Sequence, residues 1–321
     1  MSDVTMIDYA SGVTAIDTRF AGTRMLAACH LLRDGNEAAL VDVGSNFSVP
    51  VILSALAQKG LARSQVRYVC VTHVHLDHAG GAGEMMRQLP DATLVVHPRG
   101  ARHMIDPSAL YEGARAVYGA ETMARHYGEL IPVPEERVHV VRDGDRLPLG
   151  QRMLQFLDTP GHANHHYCML DEAADVVFSG DTFGVSYRDF DTERGPFIMP
   201  TTSPVHFDPD AAHRSIDRLC ALDPAAIYLT HFGEVTGIPR LADDLHAGLE
   251  AHVEIARRHA DAGDARPQRI AGDLQDWFIG ALRMHGVDWP ERTIRKALAL
   301  DVQLNTQGLM VWLDRQAASR Q

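Results

Sequence analysis

The chain has 321 residues, 45% of them hydrophobic, which is enough for a large core plus an appendage and excludes a disordered chain. Its 42 acidic against 30 basic residues leave a formal net charge of −12, and without a concentrated basic stripe it offers no free nucleic-acid-binding surface. Lysine occurs only at Lys59 and Lys296, so a substrate anion would have to meet arginine, which pairs carboxylates and phosphates in a planar, bidentate way.

In chain order, Val13 to Ile16, Met25 to Leu32 and Glu37 to Val43 read as strands, with Asp34-Gly35-Asn36 as a hairpin turn. Val49 to Gln58 has helical spacing, and the apolar run Val66 to Val71 reads as a buried strand. A short helix follows Gly80-Gly81 through Leu89, then a strand at Thr93 to Val96. Residues 98 to 127 are helical in composition and form an insertion suited to walling an active-site mouth. Short strands resume at Val138 to Val141, Met153 to Leu157, His166 to Leu170, Val176 to Phe178 and Ala225 to Ile227. Asp208-Pro209 is a helix start, an N-cap followed by proline, with the helix carried by Ala211 to Leu222. From about residue 240 only helices are expected, at 240 to 261, 268 to 285 and 290 to 315. The N-terminus lacks a basic region followed by an apolar stretch, and no segment has the length of a membrane span, so the cytoplasm is the expected compartment. Cys29, Cys70, Cys168 and Cys220 have no CxxC spacing and read as small buried hydrophobes of a reducing compartment.

Thr72-His73-Val74-His75-Leu76-Asp77-His78 places three histidines and a carboxylate within six positions after the Val66 to Val71 strand. Neutral imidazole and ionised aspartate are what a borderline metal such as zinc recruits, and a strand end holds their backbone rigid. Alternation puts His73 and His75 on one side, while Asp77 and His78 need the turn to aim elsewhere, which suggests two metals. Three further strand ends supply candidate ligands: Asp158-Thr159-Pro160-Gly161-His162, Ser179-Gly180-Asp181-Thr182 and Thr230-His231.

These four motifs, in this order over roughly residues 10 to 240, resemble the metallo-β-lactamase superfamily, and within it the hydrolases similar to glyoxalase II. The resemblance implies an α/β fold, a four-layer αβ/βα sandwich over residues 1–239, followed by a C-terminal helical subdomain at 240–321. It assigns His73, His75 and His162 to one metal, Asp77, His78 and His231 to a second, and Asp181 as a bridge. The implied cofactor is two divalent ions, zinc first, with iron or manganese also suited. Secreted zinc β-lactamases lack the bridging aspartate, and flavodiiron proteins typically carry a carboxylate in place of His75. His166 is expected to support the ligands from behind, with His165 pointing the opposite way along a strand. His246, His252 and His259 are expected on a solvated helix.

Two metals can share a hydroxide and polarise a scissile carbonyl or phosphoryl oxygen. Asp77 would orient that hydroxide and carry a proton. Tyr187 could donate to a developing oxyanion and Arg188 could meet a substrate anion, although a structural tyrosine and a surface arginine fit equally well. The expected function is hydrolysis of a small thioester, ester or lactone; the alternatives are a small phosphoester hydrolase of the same fold and a di-iron oxygen-binding or sensing protein. The expected partner is a small-molecule substrate, without nucleic acid or membrane, and a homodimer is allowed. Arg292, Arg295 and Lys296 do not match the glutathione-binding pattern of glyoxalase II, which weakens a glutathione thioester. Trp277, Phe278, Trp289 and Trp312 suit core packing first, a protomer interface or an acyl pocket second.

Overall fold

The computed structural model describes residues 4–319. The chain forms β1 (Met6–Asp8), β2 (Val13–Asp17), β3 (Ala28–Asp34), β4 (Glu37–Val41), α1 (Val49–Gln58), β5 (Val66–Cys70), α2 (Leu76–Ala79), α3 (Ala82–Gln88) and β6 (Thr93–Val96). The insertion is three helices, α4 (Pro98–Ile105), α5 (Ser108–Tyr118) and α6 (Ala120–His126). After it come β7 (Val138–Val140), β8 (Arg146–Leu149), β9 (Arg152–Asp158), β10 (Tyr167–Asp171), β11 (Val176–Gly180), α7 (Pro209–Cys220), β12 (Ala226–Leu229) and β13 (Gly233–Val235). The C-terminal helices are α8 (Ile238–Arg258), α9 (Arg266–His285), α10 (Glu291–Ala297) and α11 (Ala299–Ala318). Strands β1, β8 and β13 were not expected: each is only three or four residues long, too short for alternation to register. The helix expected at 290 to 315 is broken at Leu298, a buried residue with φ −98 and ψ 12; no glycine or proline announces it.

The chain divides into two compact units. The first comprises the chain through Asp158, His165–Gly180 and Pro224–Thr236; the second comprises Thr159–Asn164, Asp181–Asp223 and the chain from Gly237 onward. The sequence boundary expected at 239/240 falls in the first turn of α8.

Both sheets belong to the first unit. One runs in the order β1 to β7, antiparallel through β4 and parallel from β4 to β7; the other runs β13-β12-β11-β10-β9-β8, with β11 and β12 its parallel pair. Alternation on β5 shows why the two sheets stack. Tyr68 and Cys70 join Phe156, Tyr167, Phe178 and Tyr228 in a core between the sheets, while Val69, and Val71 just after the strand, cluster with Ile52 of α1 and Met85 of α3 on the outer side. Parallel pairing of β4 with β5, Val41 opposite Cys70, carries Asp42 and Thr72 out at the same sheet edge. Carboxyl ends of parallel strands are where α/β proteins place their ligands.

The second unit is helical, with α7 against α8 and α9 and α11 against each other. Its helix α8 buries Leu241, Leu245, Leu249, His252 and Ala256, a 3.6-residue stripe. His252 therefore does not lie on a solvated face; it is fully buried and donates from Nδ1 to the Gly248 carbonyl at 2.8 Å. Phe278 and Trp312 are buried, and Trp277 and Trp289 half-buried. No helix among the described residues is long and apolar enough to cross a membrane.

Candidate metal centre

In the first unit, the loop after β5 and the short helix α2 hold His73, His75, Asp77 and His78, and the turn after β12 holds His231. His75 is the residue immediately before α2, so the helix begins between the two pairs of candidate ligands, and it leaves the His78 ring 4.1 Å from that of His73. The side chains of Asp77, His78 and His231 converge. His231 Nε2 lies 3.3 Å from His78 Nε2 and 3.3 Å from Asp77 Oδ2, and His78 Nε2 lies 3.7 Å from Asp77 Oδ2. Tetrahedral zinc with bonds of ~2.0–2.1 Å separates neighbouring donor atoms by about 3.3 Å, so the three form a face that a divalent ion fits.

The opposite ring nitrogens are engaged. His231 Nδ1 donates to the Leu26 carbonyl at 2.6 Å, and His78 Nδ1 donates to Asp42 Oδ2 at 2.7 Å. Each bond fixes the tautomer that leaves Nε2 as a lone-pair donor. The second candidate pair, His73 and His75, brings Nε2 and Nδ1 to 2.9 Å, and the His73 Nδ1 side lies 3.1 Å from the Thr72 hydroxyl.

Asp42 is the residue that the sequence motifs missed. It is 0% exposed and sits at φ 53. Its carboxylate accepts from Thr72 N at 2.8 Å, Thr72 Oγ1 at 2.9 Å, His78 Nδ1 at 2.7 Å and Thr230 Oγ1 at 2.7 Å. Thr72 and Thr230 each directly precede a candidate ligand, so one carboxylate ties the His73 and His231 segments to the end of β4. The available signal was an acid inside an otherwise apolar strand run, together with the repeated Thr-His dipeptide.

His166 is fully buried and stacks on His73 at 4.8 Å. Gly180, at φ +50, makes room for it: a Cβ there would stand 2.6 Å from both His166 Nε2 and Thr72 Oγ1. His165 does not point away. Its ring lies 5.7 Å from that of His75 and 6.2 Å from that of His73, because β10 starts only at Tyr167 and strand alternation does not govern residues 165 and 166. The insertion packs beside these ligands, with Met123 and Tyr127 clustered on Leu76. Burial, reinforced by Tyr118 and the Asp77 carboxylate, pushes the Tyr127 hydroxyl well above its ordinary range.

In the second unit, His162 and Asp181 are buried, with His162 Nε2 3.5 Å from Asp181 Oδ2. Thr182 Oγ1 donates to the Thr159 carbonyl at 3.3 Å, bringing the two motif turns together. Tyr187 donates to Asp301 Oδ1 on α11 at 2.8 Å, and Arg188 folds back on the Ser186 carbonyl at 2.8 and 3.2 Å. Both therefore help to hold the segment after Asp181 in place. Arg295 is held by Glu291 and Asp276, each at 2.8 Å.

Residues 22–231 match the family described as the Metallo-beta-lactamase superfamily. The chain belongs to that superfamily. It is 26% identical over 216 residues to the metallo-beta-lactamase fold-containing protein ST1585 of Sulfurisphaera tokodaii, covering 65% of this chain and 77% of that protein. The solved structure of ST1585 matches with a TM-score of 0.65 at 21% identity, over 93% of this chain and 98% of that one, a likeness of fold that includes the C-terminal helical region. The acyl-coenzyme A thioesterase MBLAC2 of Gallus gallus is 28% identical over 183 residues, 53% of this chain and 62% of its own length. The hydroxyacylglutathione hydrolase of Rhodopseudomonas palustris is 26% identical over 153 residues, 48% of this chain and 46% of its own length. The metallo-β-lactamase fold thus stands as expected, and the first unit holds a cluster, Asp77, His78 and His231, that could hold a metal ion.

Proposed function

We propose that this chain is a dinuclear metal-dependent hydrolase of small thioesters, esters or lactones. The observation that carries the proposal is the Asp77, His78 and His231 face, with donor atoms at tetrahedral spacing and both imidazoles locked in the metal-binding tautomer. Following the resemblance, His73, His75 and His162 would hold one ion, Asp77, His78 and His231 the other, and Asp181 would be shared. When bound, the ions supply Lewis acidity and an activated water near neutral pH.

Asp77 is the proton carrier of this proposal. Its side chain is 26% exposed against 0% for His78 and 8% for His231, so it is the member of the face that can exchange a proton with solvent. A single carboxylate is a weak acid for expelling an alkoxide, whereas a thiolate, with a conjugate acid near pKa ~8.5, leaves with little protonation. That favours thioesters, the substrate class for which the relative MBLAC2 is named. Tyr187 and Arg188 are proposed to act on catalysis by shaping the segment after Asp181, since both are engaged with Asp301 and Ser186.

The test is metal analysis of protein purified without added metal, followed by a panel of thioester, lactone and phosphodiester substrates. Two ions per chain and thioester turnover lost in folded H73A and D181A proteins are expected. Turnover that survives complete metal removal sinks the proposal, and iron with an oxygen-sensitive absorption band redirects it to oxygen binding, since the N/O donor set suits iron equally.

A further inference from the structure

The second unit contains a cavity of about 330 Å³ between α8, α9 and the segment before Met199. Its walls are Phe197, Ile198, Ala247, Trp277, Ala281 and Met284, and its polar groups are Arg194, Arg240, Asp244 and His285. Small residues create the space. Ala247 on α8 and Ala281 on α9 leave the helix surfaces bare. Gly248 lets Trp277 and Pro200 close in, since a Cβ there would lie 2.9 Å from Pro200 Cδ and 3.3 Å from the Trp277 ring. Met284 remains 73% exposed at the mouth, an apolar side chain with little of its surface covered.

Arg194 differs from the other charged groups of this wall. Arg240 is satisfied by Asp244 at 2.7 Å and the Pro196 carbonyl at 3.0 Å, and His285 Nε2 donates to the Gly195 carbonyl at 3.0 Å. The Arg194 guanidinium makes no ion pair or side-chain hydrogen bond among the described residues. Its backbone is nevertheless fixed. Residues 192–195 form a tight turn closed by reciprocal bonds between Thr192 and Gly195. Thr192 Oγ1 accepts from Arg194 N at 3.1 Å and donates to the His285 carbonyl at 2.9 Å. The turn is therefore pinned to the end of α9, and Arg194 lines the apolar cavity from a fixed backbone.

We propose that this cavity binds an amphipathic carboxylate, its apolar part against Trp277, Phe197 and Met284 and its carboxylate on Arg194. Charge selects the class: Arg194 adds a positive charge beyond the Arg240–Asp244 pair, and a guanidinium fork pairs bidentately with a carboxylate. Volume sets the size, since at ~30 Å³ per heavy atom in a liquid the space holds about ten non-hydrogen atoms. The site stands independently of the proposed hydrolysis.

Octanoate, with ten heavy atoms, is the probe, titrated calorimetrically into the metal-loaded full chain. Saturable binding is expected, weakened about tenfold or more by R194Q and likewise by A281L, whose three added carbons occupy part of the cavity; 1-octanol should bind at least tenfold more weakly than octanoate. Arg194 is exposed, so R194Q keeps the fold, as circular dichroism checks, and its hydrolase activity should match wild type. Octanoate captured by the metal centre would bind R194Q as tightly as wild type, and that result overturns the proposal. Equal affinity for octanol, or no saturable binding at millimolar octanoate, overturns it as well.

Discussion

Asp42 shows how much of this site one side chain organises. A buried carboxylate receiving four hydrogen bonds, among them those of Thr72, His78 and Thr230, is stable only while all its donors stay in place. The substitution D42N keeps the shape but turns half of the acceptor into a donor facing donors. Metal affinity should fall by about 10–100-fold, the usual effect of removing an outer-sphere partner of a ligating histidine. Chelator competition on folded protein measures it, and an unchanged affinity would mean that His78 does not depend on Asp42 for its tautomer. At the same scale, D77N should reduce kcat by on the order of 100-fold with KM little changed, if Asp77 moves the proton. A Y187F protein that loses kcat without loss of melting temperature would instead make Tyr187 a group that touches the substrate.

Elements are fastened by bonds that hydropathy does not encode. Helix α3 carries the Gly81 edge of the metal loop and ends at Gln88. Arg137, just before β7, donates to the carbonyls of Met86 at 2.8 Å, Leu89 at 2.6 Å and Ala92 at 2.7 Å, closing the end of α3 and the chain leading to β6. Lysine carries the same charge but cannot span three carbonyls with one planar fork. R137K should cost roughly 1–3 kcal/mol, read from the urea midpoint at constant slope. The D208A substitution removes the N-cap bond to Ala211 N at 2.9 Å and should cost about 1 kcal/mol; a neutral result would show α7 held by packing alone.

At the scale of the whole molecule, two buried histidines set the acid limit. His30 on β3 lies edge-on to Phe178 and Tyr228, its two nitrogens unbonded among the described residues. Burial pushes it down to about 4, against the pull of Asp42. His252 is likewise pushed down to about 4 by burial, against its bond to Gly248. Both are neutral in the native protein at pH 7, while the unfolded chain takes up a proton near the ordinary histidine value of about 6.5. Protons thus favour the unfolded state, so stability is complete above about pH 6.5 and declines as pH falls toward 4. The decline is on the order of 3 kcal/mol per histidine. Melting temperatures measured from pH 7.5 to 4.5 should fall, and His30→Leu should flatten the slope; a slope unchanged in that variant would assign the acid limit elsewhere.

The chemistry-bearing residues were legible in the sequence because each motif is local. The 73–78 cluster, Gly161-His162, Gly180-Asp181 and Thr230-His231 all sit where an apolar run ends, and the structure ends β5, β9, β11 and β12 at or within three residues of them. The long strands and helices were equally legible, since their periodicity runs over enough residues to exceed chance. What the linear chain could not express were relations between distant segments. Parallel pairing of β4 with β5 brings Asp42 to Thr72, Arg137 reaches back to α3, and a turn at 192–195 is tied to the end of α9. Hydrogen bonds of this kind depend on which strand lies beside which, and short side chains such as Thr72 and Ala281 acquire meaning only from what packs against them. Sequence alone singled out the candidate metal ligands; tertiary structure decided which nitrogen of His78 and of His231 is held by a hydrogen bond and which faces the candidate site.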